Sequence, residues 1–359
     1  MARPALIEKL MQAGKWLFKK ELIPLDDLAG NALKSANGKL NVDFNEMPEG
    51  KLRELVLAMI KTGGGLAVDS QGRIYFDSSN MDTSIIEEVM KKLRLPRWLT
   101  RNINIYVNKS HAAAADSDDE GRGGSEKPFR SIQYAANFVC DNYNLSNFNV
   151  NLLISPETYD EYVSVGNCQT SGGKLIFRCL EEGKKFTIRN FMPNCNAVID
   201  LHDAIIAYNN APRPGSGGYQ ALTASSYVNL YDVEFHAGSG TSHNKRLMQA
   251  VTGGTIVLRS GVSCKGSCWA VFETTGGEIA IFSDMTVSDL SCSLCFAFAN
   301  GAGEIYITDI GNGLPRVTGS ATGSRYRITG AGSINVGGLG PDYFPGTTAG
   351  TIVEQKPYS

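Results

Sequence analysis

The sequence of 359 residues carries almost no net charge and few histidines. Its 34 Lys and Arg residues nearly balance 36 Asp and Glu residues, which leaves a formal charge of −2, and only four histidines are present. Nucleic-acid binding normally requires a basic patch, so this balance gives no electrostatic reason to expect a nucleic-acid partner. No segment is apolar over a length sufficient to cross a bilayer, and we expect no membrane insertion.

Motifs for nucleophilic or cofactor-dependent chemistry are missing as well. No Gly-x-Ser-x-Gly elbow precedes a helix, and no phosphate-binding glycine loop follows a strand in a βαβ setting. The first 20 residues carry lysines throughout an amphipathic pattern and lack a small-residue cleavage site, which is not typical of a signal peptide. We therefore expect no cofactor and synthesis in a reducing cytoplasm.

The eight cysteines are too few for a disulfide scaffold in a chain of this length. Cys264 and Cys268, followed by Cys292 and Cys295, form C-x3-C and C-x2-C pairs that are compatible with zinc. A second interpretation is that Cys268 and Cys292, about one coil apart in a β-solenoid, stack as free thiols in its interior. We favour the stacked thiols and predict no metal site.

Short alternating apolar segments dominate the chain from Asn149 onward, and glycine is abundant at 39 residues. Strand starts are predicted at five positions, namely Tyr227, Thr255, Glu278, Glu304 and Arg325. Their spacing suits coils of three short strands, in which alternate apolar residues point inward and stack on the coils above and below. A β-sandwich would also contain many short strands, but not the helix that precedes them here.

The segment that predicts that helix starts with residues 125–138, SEKPFRSIQYAANF, and the helical lid is expected over residues 131–143. The apolar residues that recur at helical spacing are Phe129, Ile132, Ala135, Ala136 and Val139. A strand at 103–107 and an acidic, Gly-rich loop precede them. The prediction is a mainly β protein, a right-handed single-stranded parallel β-helix over residues 101–337, capped by an N-terminal α-helix that covers the first coil.

The order of strand, Asp/Gly-rich loop and Pro-Phe-Arg-Ser-Ile-Gln turn resembles the pectate-lyase-like β-helices of bacteriophage tail spikes and tail fibres. The loop Asp116–Gly121 also places oxygen side chains on alternate residues before a glycine, as calcium loops do. Lys127 stands where an EF-hand requires a bidentate Glu, so we expect a connecting loop without metal.

An internal repeat of 34 residues marks the region 1–100. Asn37–Asp43 aligns with Gln71–Asp77, each copy has a Gly-centred hairpin turn, and helical segments are predicted at 50–61 and 84–93. The repeats resemble the N-terminal shafts of phage and prophage tail fibres, which implies a small α+β shaft or attachment region that buries its apolar faces against sister chains. A small autonomous α+β domain is the alternative. The first helix, 7–20, is an attachment, coiled-coil or surface helix, or one that lies on a membrane surface.

The last segment, residues 338–359, has little charge and is punctuated by Gly and Pro. It is predicted to be an extended tail that packs over the last coil or against another subunit. Its GPDYFPG sequence is similar to the endings of phage and prophage tail proteins with β-helix bodies.

Catalysis, if present, is assigned to Asp232, Glu234 and His236. Alternation along a strand projects these three residues from one face, and Asp200 and His202 are predicted to occupy equivalent positions one coil earlier. Paired carboxylates are the chemistry of glycoside hydrolysis. The alternative is a solvated surface with an Asp that stabilises a turn.

Carbohydrate binding is the second hypothesis for the outer surface. Aromatic rings stack on the apolar faces of sugars, while polar side chains bond the hydroxyls. The candidate residues are Asp200, His202, Tyr208, Asn209, Arg213, Tyr231 and Trp269.

The resemblance implies a phage tail spike or tail fibre protein that binds a host cell-surface polysaccharide. It further implies a homotrimer, assembled in the bacterial cytoplasm and located in the virion tail, with other tail or baseplate proteins bound by the N-terminal region. Two alternatives remain, a glycan-degrading depolymerase acting as hydrolase or lyase, and a purely structural tail or baseplate component.

Overall fold

The computed structural model describes four strands before residue 96 and then residues 96–353 without 167, 169, 209–218, 239–244, 310 and 312. The chain divides into two compact units, residues 1–95 and 96–359. The predicted helices at 7–20, 50–61 and 84–93 lie outside the described residues, as do residues 354–359.

The first unit contains an antiparallel sheet in the order β1-β2-β4-β3. Its strands are β1 (Leu33–Ala36), β2 (Lys39–Asp43), β3 (Gly64–Val68) and β4 (Arg73–Met81). Ala36 pairs with Lys39, and Val68 pairs with Ile74, so a hairpin forms around each of the two predicted Gly-centred turns.

The second unit is a parallel β-solenoid. One side is a nine-stranded sheet, called sheet 1, with strands β6 (Ile103–Val107), β8 (Val150–Ile154), β10 (Lys174–Cys179), β13 (Val198–His202), β16 (Tyr227–Tyr231), β19 (Thr255–Ser260), β21 (Glu278–Ile281), β23 (Glu304–Ile307) and β25 (Ser333–Asn335). These strands are in chain order along the sheet, and from β8 onward each is separated from the next by one or two strands of the other side.

The other sides form an eleven-stranded sheet, called sheet 2. Its strands are β9 (Tyr162–Gly166), β11 (Phe186–Ile188), β12 (Asn190–Asn194), β14 (Ala204–Tyr208), β15 (Tyr219–Ala224), β17 (Glu234–Ala237), β18 (Lys245–Val251), β20 (Val262–Thr275), β22 (Met285–Asn300), β24 (Val317–Thr329) and β26 (Thr351–Val353). β17 and β18 both pair with β20, so two strands of the earlier coils merge into one long strand in the later coils. A small parallel pair joins β5 (Arg97–Trp98) and β7 (Tyr143–Asn144).

The predicted coil spacing is confirmed at four of the five strand starts. Tyr227 pairs with Thr255, Thr255 with Glu278, and Glu278 with Glu304. The fifth start is wrong, because Glu304 pairs with Ser333, while Arg325 lies within β24 of sheet 2. All pairings between strands β5 to β26 are parallel, which contradicts the β-sandwich alternative.

The interior of the solenoid is apolar because alternate residues of each short strand face inward. On β10, Leu175 and Phe177 are buried, and they pair with Ile199 and Leu201 of β13. Phe177 also contacts Phe191 of sheet 2, with ring centroids 5.0 Å apart. One cluster of buried apolar residues runs through the whole stack, so each coil is stabilised by its neighbours.

The predicted cysteine stack is present in this interior. Cys268 pairs with Cys292 across β20 and β22, and the two sulfur atoms lie 3.7 Å apart. Both residues are buried, and all eight cysteines are free thiols. Cys268 and Cys292 thus act as small apolar residues at matching positions of successive coils.

A single helix in the described part of the chain, α1 (Ile132–Asn142), begins at the predicted Ser-Ile-Gln turn. Ser131 is its N-cap and accepts a hydrogen bond from the Tyr134 amide at 3.2 Å. The Gln133 side chain accepts a bond from the Ser164 amide at 2.6 Å and donates one to the Ser164 carbonyl at 2.8 Å. The buried residues of α1 are Ile132, Ala135, Ala136, Val139 and Cys140, which include four of the five predicted apolar positions. The fifth, Phe129, is also buried but lies before the helix begins.

The C-terminal end of the solenoid contains the first residues of the predicted tail. Phe344 is 1% exposed and packs on Phe296 with ring centroids 5.5 Å apart. The Tyr343 hydroxyl donates to the Pro315 carbonyl at 3.0 Å, and β26 then pairs with β24. The tail up to residue 353 therefore packs on the last coil.

Candidate functional site

The outer face of sheet 1 brings together three of the predicted site residues. Ile199 and Leu201 of β13 point into the core, so Asp200 and His202 lie on the opposite, outer face. In the next coil, Asp200 pairs with Asn229, and His202 pairs with Tyr231.

Four side chains from four successive coils form a hydrogen-bonded row, here called the sheet 1 ladder, made of Lys174, Asp200, Asn229 and Arg259. Lys174 Nζ lies 3.0 Å from Asp200 Oδ2, and Asn229 Nδ2 donates to Asp200 Oδ1 at 2.7 Å. Arg259 Nε donates to Asn229 Oδ1 at 2.8 Å. Each member therefore fixes the orientation of the next, although only Asp200 was predicted from the sequence.

The two central residues of the ladder, Asp200 and Asn229, are buried although they lie on an outer surface. Asp200 is only 5% exposed because its two oxygens are bonded by neighbours, whereas Tyr227 in the following coil is 40% exposed. Arg259 donates to the Tyr227 hydroxyl at 3.4 Å and lies over the Phe282 ring at 4.7 Å. The hydrogen bonds and the Arg259–Phe282 contact hold the side chains of this face in a fixed arrangement, and the ladder combines two cations, Lys174 and Arg259, with one anion, Asp200.

His202 and Tyr231 form a flat aromatic pair beside the ladder. Their ring centroids are 4.2 Å apart and the planes differ by 6°, which is a parallel stack. Burial lowers the pKa of His202, and the charge of Arg178 lowers it further. The imidazole is therefore neutral at neutral pH, and the pair presents a neutral aromatic surface.

The predicted equivalence of Asp200 and Asp232 is wrong. Asp200 pairs with Asn229, so Asp232 instead matches Asp203 of the preceding coil. Asp203 and Asp232 follow their strands with positive φ of 53° and 55°, and Gly261 takes the same conformation one coil later with φ of 58°. These are corner residues at which the chain turns between the two sheets.

Asp232 also does not share a strand with Glu234 and His236, because it lies before the start of β17. Its amide donates to the Ser260 carbonyl at 2.8 Å, and a Cβ added at Gly261 would collide with its carboxylate. The Asp232 side chain therefore packs closely over the next corner, as in the turn-stabilising alternative.

Glu234 and His236 project together from β17 on sheet 2. Glu234 Oε2 lies 2.8 Å from His236 Nε2, and its other oxygen lies 2.9 Å from Lys185 Nζ. The hydrogen bond from Lys185 is the main cause that lowers the pKa of Glu234. A general acid requires a raised pKa, so Glu234 does not have the environment of a proton donor.

The remaining predicted residues are dispersed. Tyr208 is 2% exposed, which leaves its ring no free surface for a sugar. Asn209 and Arg213 lie outside the described residues. Trp269 lies on β20 of sheet 2 and is not a member of the sheet 1 ladder.

The residues that sequence reasoning missed are Lys174, Asn229 and Arg259. Their signal is faint, because each is an isolated polar residue in a strand and its partner lies in another coil. These residues are seen to be neighbours only once the pairing of Asp200 with Asn229 is known. That pairing depends on the lengths of the corners between the strands, which differ from coil to coil.

The carboxylates of the acidic loop before α1 accept hydrogen bonds from the start of the helix and the residues just before it. Asp116 accepts from the Arg130 and Ser131 amides, each at 3.0 Å, and Asp118 accepts from the Tyr134 hydroxyl at 2.9 Å. Within the described ranges, no group of three His, Cys, Asp or Glu residues is arranged to hold a metal ion. In that same part of the chain, no helix has the length and apolar character needed to span a bilayer.

Comparisons with protein-family models, curated proteins and solved structures find no match for this chain.

Proposed function

We propose that this chain is a phage or prophage tail-spike-like or tail-fibre-like protein that binds a cell-surface polysaccharide through the outer face of sheet 1. The observation that carries the proposal is the His202–Tyr231 stack beside the sheet 1 ladder. The resemblance of the Pro-Phe-Arg-Ser-Ile-Gln turn and of the GPDYFPG ending to phage tail proteins is the second support.

A sugar ring has apolar C–H faces and a rim of hydroxyl groups. The neutral rings of His202 and Tyr231, with the exposed Tyr227 nearby, supply surfaces for such faces. The polar atoms of the ladder supply donors and acceptors that are already oriented, so binding requires little ordering of side chains. Neighbouring strands are about 4.7–4.9 Å apart, which gives a linear glycan along the solenoid axis a regular series of contacts.

Two finer features of the fold belong to the same proposal. The solenoid is right-handed, since parallel strand crossovers are right-handed in about 98% of cases. Helix α1 caps the first coil. The hydrogen bonds of Gln133 support this role, because they satisfy the amide and carbonyl of Ser164 on β9, the strand at the end of sheet 2.

The proposed partners follow from resemblance. The repeats in the region 1–100 are similar to shafts of phage and prophage tail fibres, and we propose that this region attaches the protein to other tail or baseplate proteins. The assembly is a homotrimer in the virion tail. Its mass in solution tests this part, because a monomer would contradict the shaft assignment.

A panel of immobilised bacterial surface polysaccharides tests the binding function. The wild-type chain is expected to bind at least one of them without releasing new reducing ends. Tyr231→Ala is expected to weaken binding about tenfold, because loss of one aromatic–sugar stack removes roughly 1–2 kcal/mol.

Tyr106→Ala is the matched control, a partly exposed tyrosine on β6 of the same sheet. Equal weakening by both variants would argue against a localised site. Absence of binding to every polysaccharide would favour the structural alternative, and new reducing ends would favour the depolymerase.

A further inference from the structure

Cys268 and Cys292 are a pair of reactive groups that the proposed glycan binding does not use. Cys268 lies on β20 and Cys292 on β22, and the two residues lie directly opposite each other across these neighbouring strands. Both are 4% exposed and belong to the core of the solenoid. In the strand registers of the described residues, no other cysteine lies directly opposite a second cysteine.

The geometry of this pair is close to that of a disulfide. Neighbouring strands lie about 4.7–4.9 Å apart, and disulfides join residues whose Cα atoms are about 4.4–6.8 Å apart. The two sulfur atoms are 3.7 Å apart and a disulfide bond is about 2.05 Å long, so the atoms have to approach by about 1.7 Å. Rotation of the two side chains about χ1 supplies a movement of this size.

The backbone beside the pair is irregular. The register between β20 and β22 shifts immediately before and immediately after residues 266–268. On the other edge of β22, the register with β24 shifts within residues 291–295. Such irregular pairing interrupts the ladder of hydrogen bonds, so a small local adjustment breaks few of them. The two strands can therefore accommodate a bond between the sulfur atoms without a change of register.

A peroxide is an oxidant small enough to reach this buried site. The thiolate of one cysteine attacks a peroxide oxygen, the O–O bond breaks, and a sulfenic acid and hydroxide form, which takes up a proton to become water. The second thiol loses its proton and attacks the sulfenic sulfur, which forms the S–S bond and releases the sulfenic oxygen as a second water. Two thiols are thus oxidised to one disulfide, and one hydrogen peroxide is reduced to two waters.

The reaction is expected to be slow in the folded chain at neutral pH. A hydrogen bond with Cys268 and burial both raise the pKa of Cys292, so little of the reactive thiolate is present. In a cytoplasm, cellular reductants keep such thiols reduced. In an oxidising environment outside the cell nothing reverses the reaction, and even slow oxidation accumulates.

We propose that Cys268 and Cys292 are a redox-responsive pair, free thiols in the chain as synthesised and a disulfide once the protein has met a peroxide. The bond closes a loop of about one coil and links β20 to β22, which restricts the unfolded chain and stabilises the stack. This chemistry does not depend on glycan binding. Only its setting outside the cell rests on the proposed location in a virion.

Treatment of the reduced full chain with hydrogen peroxide, followed by removal of the oxidant, tests the inference. Peptide mass spectrometry without reduction is expected to find Cys268 linked to Cys292, with the mass of the chain lower by two hydrogen atoms. The melting temperature is expected to rise by several degrees and to return to its first value after treatment with dithiothreitol. Oxidation is expected to become faster as the pH rises, because the thiolate is the reacting species.

Cys268→Ala is expected to abolish both the linked peptide and the rise in melting temperature. Cys264→Ala is the matched control, since Cys264 is a buried cysteine on the same strand that lies opposite Val287. This variant is expected to keep the linked peptide and the rise. Each oxidised variant is compared with its own reduced form, so a loss of stability caused by the substitution itself does not enter the comparison.

Three outcomes overturn the inference. They are the absence of the linked Cys268–Cys292 peptide, accumulation of sulfinic acid on these residues, and an oxidised Cys268→Ala variant that gains as much stability as the oxidised wild type. The last result would assign the effect to another pair, such as Cys140 and Cys168, whose thiols also share a hydrogen bond. Failure here leaves the sheet 1 proposal intact, because glycan binding is measured on the reduced chain.

Discussion

The two faces of sheet 1 use the same strands for different purposes. On β13, Ile199 and Leu201 face the core and pair with Val228 and Leu230, so similar apolar residues contact each other from coil to coil. On the outer face, the partners of Asp200 are Lys174 and Asn229, which differ from it in charge and hydrogen-bonding capacity. In the interior, the same apolar contact recurs from coil to coil, whereas on the outer face each coil adds a different polar contact.

This difference indicates where stability and where specificity reside. Interior residues lose water-exposed apolar area only when both neighbouring coils are present, so a change there affects the whole stack. Outer residues are bonded to one or two named partners, so a change there has a local effect. Substitutions in the interior are therefore expected to lower the stability of the fold, and substitutions on the outer face to change binding with a smaller effect on stability.

The largest effect is expected for Phe177→Ala in the interior. Removal of this ring leaves a cavity against Phe191 and lowers the free energy of unfolding by about 3–5 kcal/mol. Thermal unfolding followed by circular dichroism measures the change. The control is Tyr227→Ala on the outer face, expected to cost far less, and equal losses in the two variants would contradict the distinction between the faces.

A smaller loss is expected for Asp200→Ala in the ladder. The change leaves the Asn229 amide without its acceptor and removes the partner of Lys174, at a cost of about 1–3 kcal/mol. Chemical denaturation gives the value. Glu278→Ala, at an exposed carboxylate on the same sheet, serves as control. An Asp200→Ala variant with the same free energy of unfolding as the wild type would show that the ladder does not fix this face.

A pH effect is expected from His202. The pKa of this residue is lowered by burial from 6.5, so the unfolded chain takes up a proton at a higher pH than the folded chain. The stability that His202 contributes is complete above pH 6.5 and falls as the pH drops below that value. Melting temperatures from pH 7.5 to 5.5 measure the slope, and His202→Phe is expected to flatten it.

The control for this experiment is His111→Gln, which leaves the buried histidine in place. A slope that is unchanged in His202→Phe would show that His202 titrates alike in the folded and unfolded chain.

No change is expected on treatment with a metal chelator. Cys268 and Cys292 contact each other as buried thiols, so the fold gains nothing from zinc at this position. The melting temperature with and without chelator is the measurement. If the chelator lowered the melting temperature by several degrees, the result would favour a zinc site formed by Cys264, Cys268, Cys292 and Cys295.

The sequence predicts the interior well because the interior obeys local rules. Alternation located the strands that begin at Tyr227, Thr255, Glu278 and Glu304, and helical spacing located the buried face of α1. The match of Cys268 with Cys292 followed from the length of one coil.

The outer face is harder to predict because it depends on the lengths of corners. Thr255 and Glu278 are separated by one coil, as are Glu304 and Ser333, yet the second coil is longer by six residues. An error of three residues in one coil was enough to align Asp200 with Asp232 instead of Asn229. Long side chains such as those of Lys174 and Arg259 then reach across coils, which no local pattern reveals.

Hydroxyl-radical footprinting of the chain with and without a bound polysaccharide shows whether a glycan lies on sheet 1, because it reports the solvent exposure of individual side chains. We expect the glycan to protect His202, Tyr227 and Tyr231 on the outer face of sheet 1, while the labelling of Tyr106 is unchanged. Protection confined to other faces of the solenoid, with full labelling of Tyr231, would contradict this expectation.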